Sequence, residues 1–251
     1  MKLRSTPTAR SIRARALVCR ISMVSAVMGL LLIATSGLAV GRKPTPGVLP
    51  PGATLRGWTY GDWAAAWWQW TLQFPIEQNP MTDPTGAFGN AGQKGPVWFL
   101  SGTFDGSAKR SITVPAGKRL FFPLFNVFCD YSCPEPGFQP APGQTLEEFL
   151  TDSAEAMADM ATELFAEVDG VPLQNLWDYR AHSDLKLFTK HPSLVALDPC
   201  ITSGPQPAVA AGYWLMLAPL AKGQHTVRFG STAAFGDYEV LTEATYYLTV
   251  E

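Results

Sequence analysis

Histidine is scarce in this sequence, and the common catalytic motifs are missing. The 251 residues include three histidines, and 16% of the residues are charged. The sequence contains no G-x-S-x-G nucleophile turn, no P-loop, no H-E-x-x-H zinc motif and no dinucleotide-binding glycine pattern. It therefore gives no sign of the hydrolases, NTPases, zinc peptidases or dehydrogenases that these motifs identify.

Basic residues are few outside the N-terminal region. The first 40 residues hold six of the 19 Lys and Arg and none of the 21 Asp and Glu. The rest of the chain has thirteen basic and twenty-one acidic residues, a net charge of −8 with neutral histidines. A chain this acidic lacks the basic patch that nucleic acids require and is repelled by anionic membrane surfaces.

The N-terminal region has the order of a secretory signal peptide. Its basic stretch is followed by an uncharged, mostly apolar run over residues 21–40. The small residues Ser36, Gly37 and Ala39 predict cleavage after Ala39, so residues 1–39 are interpreted as a signal peptide. The alternative is an uncleaved membrane anchor, because a run of this length can cross a hydrocarbon core of roughly 30 Å. Both interpretations predict an extracytoplasmic protein, secreted or periplasmic.

Cysteine is also rare. Three of the four cysteines lie beyond the signal segment: Cys129, Cys133 and Cys200. In an oxidising compartment we expect one disulfide and one remaining thiol. A bond from Cys129 or Cys133 to Cys200 would close a long loop and restrict the unfolded chain most, and both pairings stay open. Zinc needs at least three protein ligands, so we expect no metal and no cofactor from these spacings.

A proline- and glycine-rich stretch, residues 40–57, is typical of a linker, and residues 58–251 are interpreted as a single domain. The domain opens with "WTYGDWAAAWWQW", which holds five of the eight tryptophans. Thr59 and Asp62 form a capping-box pattern, and Pro75 marks an end, which together predict a leading helix of about four turns.

Aromatic residues recur along this helix at spacings of three and four, which predicts a buried stripe: Tyr60, Trp63, Trp67, Trp70 and Phe74. Trp68 points away from the stripe, and Trp58 precedes the cap. These two tryptophans are therefore candidates for a ligand contact at the surface, although the simpler interpretation of Trp68 is that it packs under a neighbouring loop.

From Gly95 onward the pattern becomes that of short β-branched and aromatic strands bounded by glycine, proline or Asp-Gly. One further helix is predicted over "TLEEFLTDSAEAMADMATELF", with Thr145 as its cap. Asp169 and Gly170 predict a tight hairpin. These elements indicate a mainly β fold with two packed helices, an antiparallel β-sandwich or jelly roll.

Several polar residues are candidates for ligand binding. Arg119 and Asn126 bracket the apolar "LFFPLF", and His225 shares a strand face with two apolar residues. The simpler interpretation of all three is a structural hydrogen bond, since buried polar groups are usually paired. His182 and His191 are interpreted as loop or strand-end residues.

Loop carboxylates are candidates for hydrolysis, because a glycosidase needs only two of them at a suitable separation. They lie in irregular segments: Asp83, Asp130, Glu135 and Asp198. The segment "NPMTDPTGAFGN" could also surround calcium with oxygens from Asn79, Asp83, Thr85 and Asn90, although an Asx-turn loop is the simpler interpretation.

Several segments together resemble a group of uncharacterised secreted bacterial proteins: "WWQW", "NPMTDPTG", "GPVWFLSGTF", "VPAGKRLFFPLFN" and "GYWLMLAPLAKGQHTVRFG". The resemblance spans roughly residues 58–250 and implies no particular reaction or ligand. From the residues we expect a secreted or cell-envelope module that binds a carbohydrate or a protein partner. The alternative is an extracytoplasmic hydrolase of unrecognised type that uses the loop carboxylates with His225 or Arg119.

Overall fold

The computed structural model describes residues 47–104, 106–135, 137–202 and 204–251. The helices are α1 (Tyr60–Leu72) and α2 (Leu146–Ala158). The strands are β1 (Val97–Phe99), β2 (Gly106–Val114), β3 (Arg119–Asp130), β4 (Ala161–Val168), β5 (Val171–Pro172), β6 (Arg180–His182), β7 (Lys186–Phe188), β8 (Gln206–Leu217), β9 (Gly223–Phe235) and β10 (Tyr238–Val250). The prediction of a mainly β fold with two packed helices is confirmed.

The strands form two sheets. Sheet I has the order β1-β3-β8-β6, with β7 also paired to β8, and sheet II has the order β2-β10-β9-β4-β5. Both sheets are mixed rather than wholly antiparallel, because β1 pairs with β3 and β2 with β10 in parallel. Parallel neighbours need a crossover. Here β2, lying in the other sheet, provides the crossover between β1 and β3.

The sheets and helices form layers around sheet I. Tyr213 and Leu215 of β8 pack against sheet II, whereas Trp214 and Met216 pack against α1. Further along the same strand, Val209 lies in the cluster beneath α2. Sheet I is therefore covered on both faces, which explains the nearly continuous apolar run of β8.

Helix α1 begins and packs as its sequence predicts. The Thr59 hydroxyl accepts a hydrogen bond from the Asp62 amide (3.2 Å), and the Asp62 carboxylate accepts one from the Thr59 amide (3.1 Å). The predicted stripe is buried against sheet I, with Phe74 half-buried at its end. Trp67 is almost fully enclosed, and its indole N–H donates to the carbonyl of Leu100 at 2.9 Å.

Helix α2 is shorter than predicted. It ends at Ala158, and β4 begins at Ala161, so the expected continuation of the helix to Phe165 is wrong. The residues after Ala158 pair with β9 instead, and this pairing overrides their local helical pattern. The hairpin prediction is confirmed, since Asp169 and Gly170 both have positive φ (52° and 75°) between β4 and β5.

Part of the stretch interpreted as a linker makes contacts with sheet I. Val48 forms a β-bridge with Leu217, and the Leu49 amide donates to the carbonyl of Met216 at 2.8 Å. The predicted signal segment lies outside the described residues. In the described part of the chain, no helix combines the length and the apolar character needed to cross a bilayer.

Candidate functional site

Strand β3 has one edge that is covered over only a short length. β1 pairs with residues 119–121, and no other described strand pairs with that edge beyond them. On its other edge β3 continues beside β8 to Asp130, with a bulge between Pro123 and Phe125. The uncovered part, residues 122–130, is called the open edge below.

A cavity of about 700 Å³ runs along the open edge and is called the β3 groove. Its walls come mainly from residues 68–81 (the second half of α1 and the segment after it), residues 102–104 after β1, residues 123–130 of β3, the segment 190–201, and residues 229–244 of β9 and β10. Its volume lies within the usual range for small-ligand sites, roughly 300–1,000 Å³.

The walls of the groove are mainly apolar. Trp68 and Phe128 contact each other there, with ring centroids 4.9 Å apart. At the rim, Phe104 and Tyr238 are about half exposed (49% and 54%). Large apolar side chains left in water beside a cavity are typical of a surface that binds something.

One end of the groove holds a buried charged cluster. The Lys190 side chain is fully enclosed, forms a salt bridge with Asp130, and donates to the Gln206 side-chain oxygen at 2.7 Å. Its ammonium also lies 5.4 Å from the centre of the Phe128 ring. Burial lowers the pKa of Lys190 to about 8, and the nearby Asp198 carboxylate opposes this shift.

A disulfide between Cys133 and Cys200, 67 residues apart, joins the two loops beside this cluster. Gln206 reinforces the join, because its amide donates to the carbonyls of Cys200 (2.8 Å) and Ser132 (3.2 Å). The expectation of one disulfide is confirmed, with Cys133 as the partner of Cys200. Cys129 lies buried under α2, with its sulfur 3.9 Å from that of Met157.

Two carboxylates lie close together beside this disulfide. Oxygens of Asp130 and Asp198 and the sulfur of Cys200 all lie within 4.8 Å of one another. Such spacing would suit a metal ion, but the Cys200 sulfur is bonded to Cys133 and the Asp130 carboxylate is paired with Lys190. The cluster is therefore organised around an ammonium group.

The structure brings five of the sequence-predicted residues together on the groove: Trp68, Asn79, Asn126, Asp130 and Asp198. Trp68 is buried (8% exposed), as the simpler interpretation of packing under a neighbouring loop predicts, and it does not lie on the outer surface. The cause is the loop segment 190–201 and the end of β3, which cover this side of α1. The half-buried Asn126 amide makes no hydrogen bond to any described residue and lines the groove.

The other predicted ligand contacts lie elsewhere. Trp58 is 46% exposed, packs on Trp63 with ring centroids 4.7 Å apart, and borders a separate shallow pocket with Lys186. A carbohydrate contact at Trp58 stays a prediction. Arg119 lies at the start of β3, where its amide donates to the carbonyl of Pro96.

His225 has structural partners, and Glu135 lies away from the groove. His225 contacts the Asp169 carboxylate through Nδ1 (2.8 Å) and the Ala221 carbonyl through Nε2 (2.9 Å). This arrangement supports the interpretation of His225 as a hydrogen-bonded structural residue. Glu135 lies in the Cys133 loop and does not line the groove.

The Asp83 carboxylate organises its own loop. It accepts hydrogen bonds from the amides of Thr85 (2.8 Å), Gly86 (3.0 Å) and Phe88 (2.8 Å). Burial raises the pKa of Asp83, but these hydrogen bonds outweigh it and hold the pKa below its usual value. The geometry is that of an Asx-turn loop, the simpler of the two interpretations of this segment.

Sequence reasoning missed Lys190, the centre of the charged cluster. Lysine in a loop is normally solvated, so its position gave no reason to expect burial. One signal was present: Lys190 follows the buried Phe188 by two residues, the spacing that places side chains on the same side of an extended segment. Both contact Phe128.

Comparison with known proteins identifies no relative. No protein-family model matches the chain. No curated protein matches it either. A solved structure titled "Solution Structure of Amebosin" is 10% identical, with a TM-score of 0.18, covering 58% of this chain and 96% of that one.

Proposed function

We propose that this protein is an extracytoplasmic binding protein that holds a mainly apolar ligand in the β3 groove. The observation that carries the proposal is the combination of a 700 Å³ apolar groove with a buried charged cluster at one end. Sites of this kind bind through burial of apolar surface, and a few fixed polar groups orient the ligand.

The state of the polar groups favours binding over catalysis. Lys190 is already paired with Asp130 and Gln206 and is closed off from solvent. A group held in this way shapes and stiffens a site without being free to attack a substrate. The disulfide and the Gln206 hydrogen bonds further fix this end of the groove, and a preformed site loses less entropy on binding.

The location also forms part of the proposal. A disulfide is compatible with an oxidising compartment outside the cytoplasm, and the basic and apolar N-terminal residues predict export. Fractionation of cells that express the full chain, with mass determination of the product, would show whether it leaves the cytoplasm and whether cleavage follows Ala39.

Binding can be tested with a neutral apolar fluorophore such as Nile red. We expect saturable binding with one site per chain. Asn126→Trp should abolish it, because the half-buried Asn126 lines the groove and an indole there would fill it. Asn90→Trp is the matched control, since Asn90 is exposed and outside the groove. Binding that does not saturate, or that survives Asn126→Trp, would refute the proposal.

A hydrolase is the second candidate, favoured by the approach of Asp130 and Asp198 within 4.8 Å on the groove. In this role Asp198 would be the carboxylate that reaches the substrate, because Asp130 is paired with Lys190. Screens with ester and glycoside substrates, comparing the protein with Asp198→Asn, test this function. Turnover that disappears in Asp198→Asn would favour the hydrolase over the binding protein.

A further inference from the structure

The open edge of β3 carries backbone groups that face the groove. The Tyr131 amide donates to the carbonyl of Pro207, so this pair is hydrogen-bonded across β3 and β8. In an antiparallel pair, residues alternate between facing the partner strand and facing away from it. Asn126, Phe128 and Asp130 therefore direct their backbone N–H and C=O groups away from β8, toward the open edge.

These groups have no partner in the described part of the chain. No hydrogen bond joins the N–H or C=O groups of Asn126, Phe128 or Asp130 to another described segment. They recur at every second residue, about 6.6 Å apart, in a groove whose walls are mainly apolar. Backbone groups next to apolar surface are normally paired, so this edge calls for a ligand that presents donors and acceptors at the same repeat.

The fold already places one strand on this edge. β1 pairs in parallel with residues 119–121, and the chain then leaves toward sheet II, so no described strand lies in line with β1 beside residues 124–130. The length of β3 that no described strand covers there is about 20 Å, which accommodates a strand of six or seven residues. An extended peptide is the ligand whose backbone repeat matches such an edge, and its alternate side chains would enter the groove.

The carboxylates that line the groove indicate the charge of one side chain of that peptide. Three carboxylates line the groove, and two have cationic partners: Asp130 pairs with Lys190, and Glu243 pairs with Arg228. Asp198 forms no salt bridge with any described residue: the nearby Lys190 ammonium attracts it but is already paired with Asp130, and one Asp198 oxygen accepts the Cys200 amide. A basic side chain from the ligand would complement this carboxylate.

We infer that the β3 groove binds an extended polypeptide segment of a partner protein, which adds to the open edge of β3 as a strand and places a lysine or arginine against Asp198. This inference rests on the proposed function, because it names the ligand of the same groove. Strand addition supplies the affinity through main-chain hydrogen bonds, and the groove walls and Asp198 select the side chains.

The first test is a selection of random nonapeptides displayed on phage, with binders to Asn126→Trp removed. We expect the selected peptides to alternate apolar residues and to carry a lysine or arginine at one end. A synthetic copy of a selected peptide should displace Nile red from the groove. Asp198→Asn should weaken its binding about tenfold, and Asn90→Trp should leave it unchanged.

The second test uses backbone N-methylation of the selected peptide and the unmodified protein, so it does not depend on any variant folding. Only alternate residues of an added strand donate to its neighbour. Methylation of one alternating set of amides should therefore weaken binding at least tenfold, since it removes several hydrogen bonds of roughly 1 kcal/mol each, whereas the other set should have little effect.

The outcomes separate this inference from the proposed function. Two outcomes would overturn the strand addition and leave the apolar site standing. In one, Nile red binds but no peptide is selected. In the other, a peptide is selected but its two N-methylated forms bind the protein equally well. Loss of saturable Nile red binding as well would overturn both. Dimers of the protein that a selected peptide dissociates in sedimentation would also overturn the inference, because the edge would then be serving a second copy.

Discussion

Lys190 and Asp130 form a salt bridge between two side chains that are 0% and 6% exposed. Lys190 belongs to the segment after β7, and Asp130 is the last residue of β3, so the pair ties that segment to sheet I. Each partner would be an uncompensated buried charge without the other, and replacing only one is therefore costly.

We predict that Lys190→Met lowers the free energy of unfolding by about 3–5 kcal/mol. The double variant Lys190→Met with Asp130→Leu should regain much of that loss, because it removes both buried charges. Urea unfolding of the two single variants and the double variant measures the coupling. Additive losses would contradict it.

The half-exposed pair of Lys186 and Asp62, 2.8 Å apart, provides a comparison for that experiment. Lys186→Met should cost less than about 1 kcal/mol, since solvent screens exposed ion pairs.

A second prediction concerns acid stability. Because the pKa of Asp83 is held below its unfolded value, its carboxylate stabilises the folded state above an unfolded pKa of about 3.9. That contribution is lost as the pH falls through the lower folded-state pKa. We expect Asp83→Asn to cost about 1–2 kcal/mol near pH 7, and the difference from wild type to shrink below about pH 4. Denaturant unfolding from pH 7 to pH 3 measures it.

Asp184→Asn, which removes an exposed carboxylate, controls for the change in net charge. If the difference in the free energy of unfolding between wild type and Asp83→Asn were the same at every pH, the stability of the loop would not depend on the charge of Asp83.

A third prediction concerns the Cys133–Cys200 disulfide. Its 67-residue separation corresponds to about 4 kcal/mol of lost unfolded-chain entropy. The double replacement Cys133→Ser with Cys200→Ser should therefore lower the free energy of unfolding by about that amount. It should also weaken Nile red binding, because the two loops at the charged end of the groove would separate.

Cys129→Ala retains the disulfide and should remain sensitive to reductant in thermal unfolding, as wild type is. The double serine variant should not respond to reductant. If none of the three proteins responded to reductant, the bond would contribute nothing to stability.

A fourth prediction compares two buried tryptophans. Trp67 donates its indole N–H to the carbonyl of Leu100, whereas the Trp214 N–H has no partner among the described residues. Both rings are essentially enclosed, at 1% and 0% exposure. Trp67→Phe should therefore destabilise the protein by about 1 kcal/mol more than Trp214→Phe, because it leaves the Leu100 carbonyl without its donor. Guanidinium unfolding of both variants is the measurement, and equal losses would contradict the assigned hydrogen bond.

The features that the sequence predicts well depend on neighbours close along the chain. The capping box of Thr59 and Asp62 spans four residues, and the tryptophan stripe follows from the helical repeat alone. The hairpin at Asp169 is equally local, since it depends on which residues tolerate positive φ.

The groove could not be predicted in this way. Burial of Trp68 depends on the segment 190–201, which lies more than a hundred residues further along the chain. The position of Lys190 depends on Asp130 and Gln206, to which no pattern in the sequence links it. The two parallel strand pairs likewise result from how β2 crosses between sheets, a choice that alternation along a strand does not encode.

The stretches that wall the groove begin near residue 68 and end near residue 244. Synthesis must therefore have passed β10 before the groove can exist, since β10 is its last wall. A chain in which β10 has not yet docked therefore has no competent groove. A ligand that recognises the groove would then distinguish finished molecules from truncated or misfolded ones, so its binding would serve as an assay of conformational maturity.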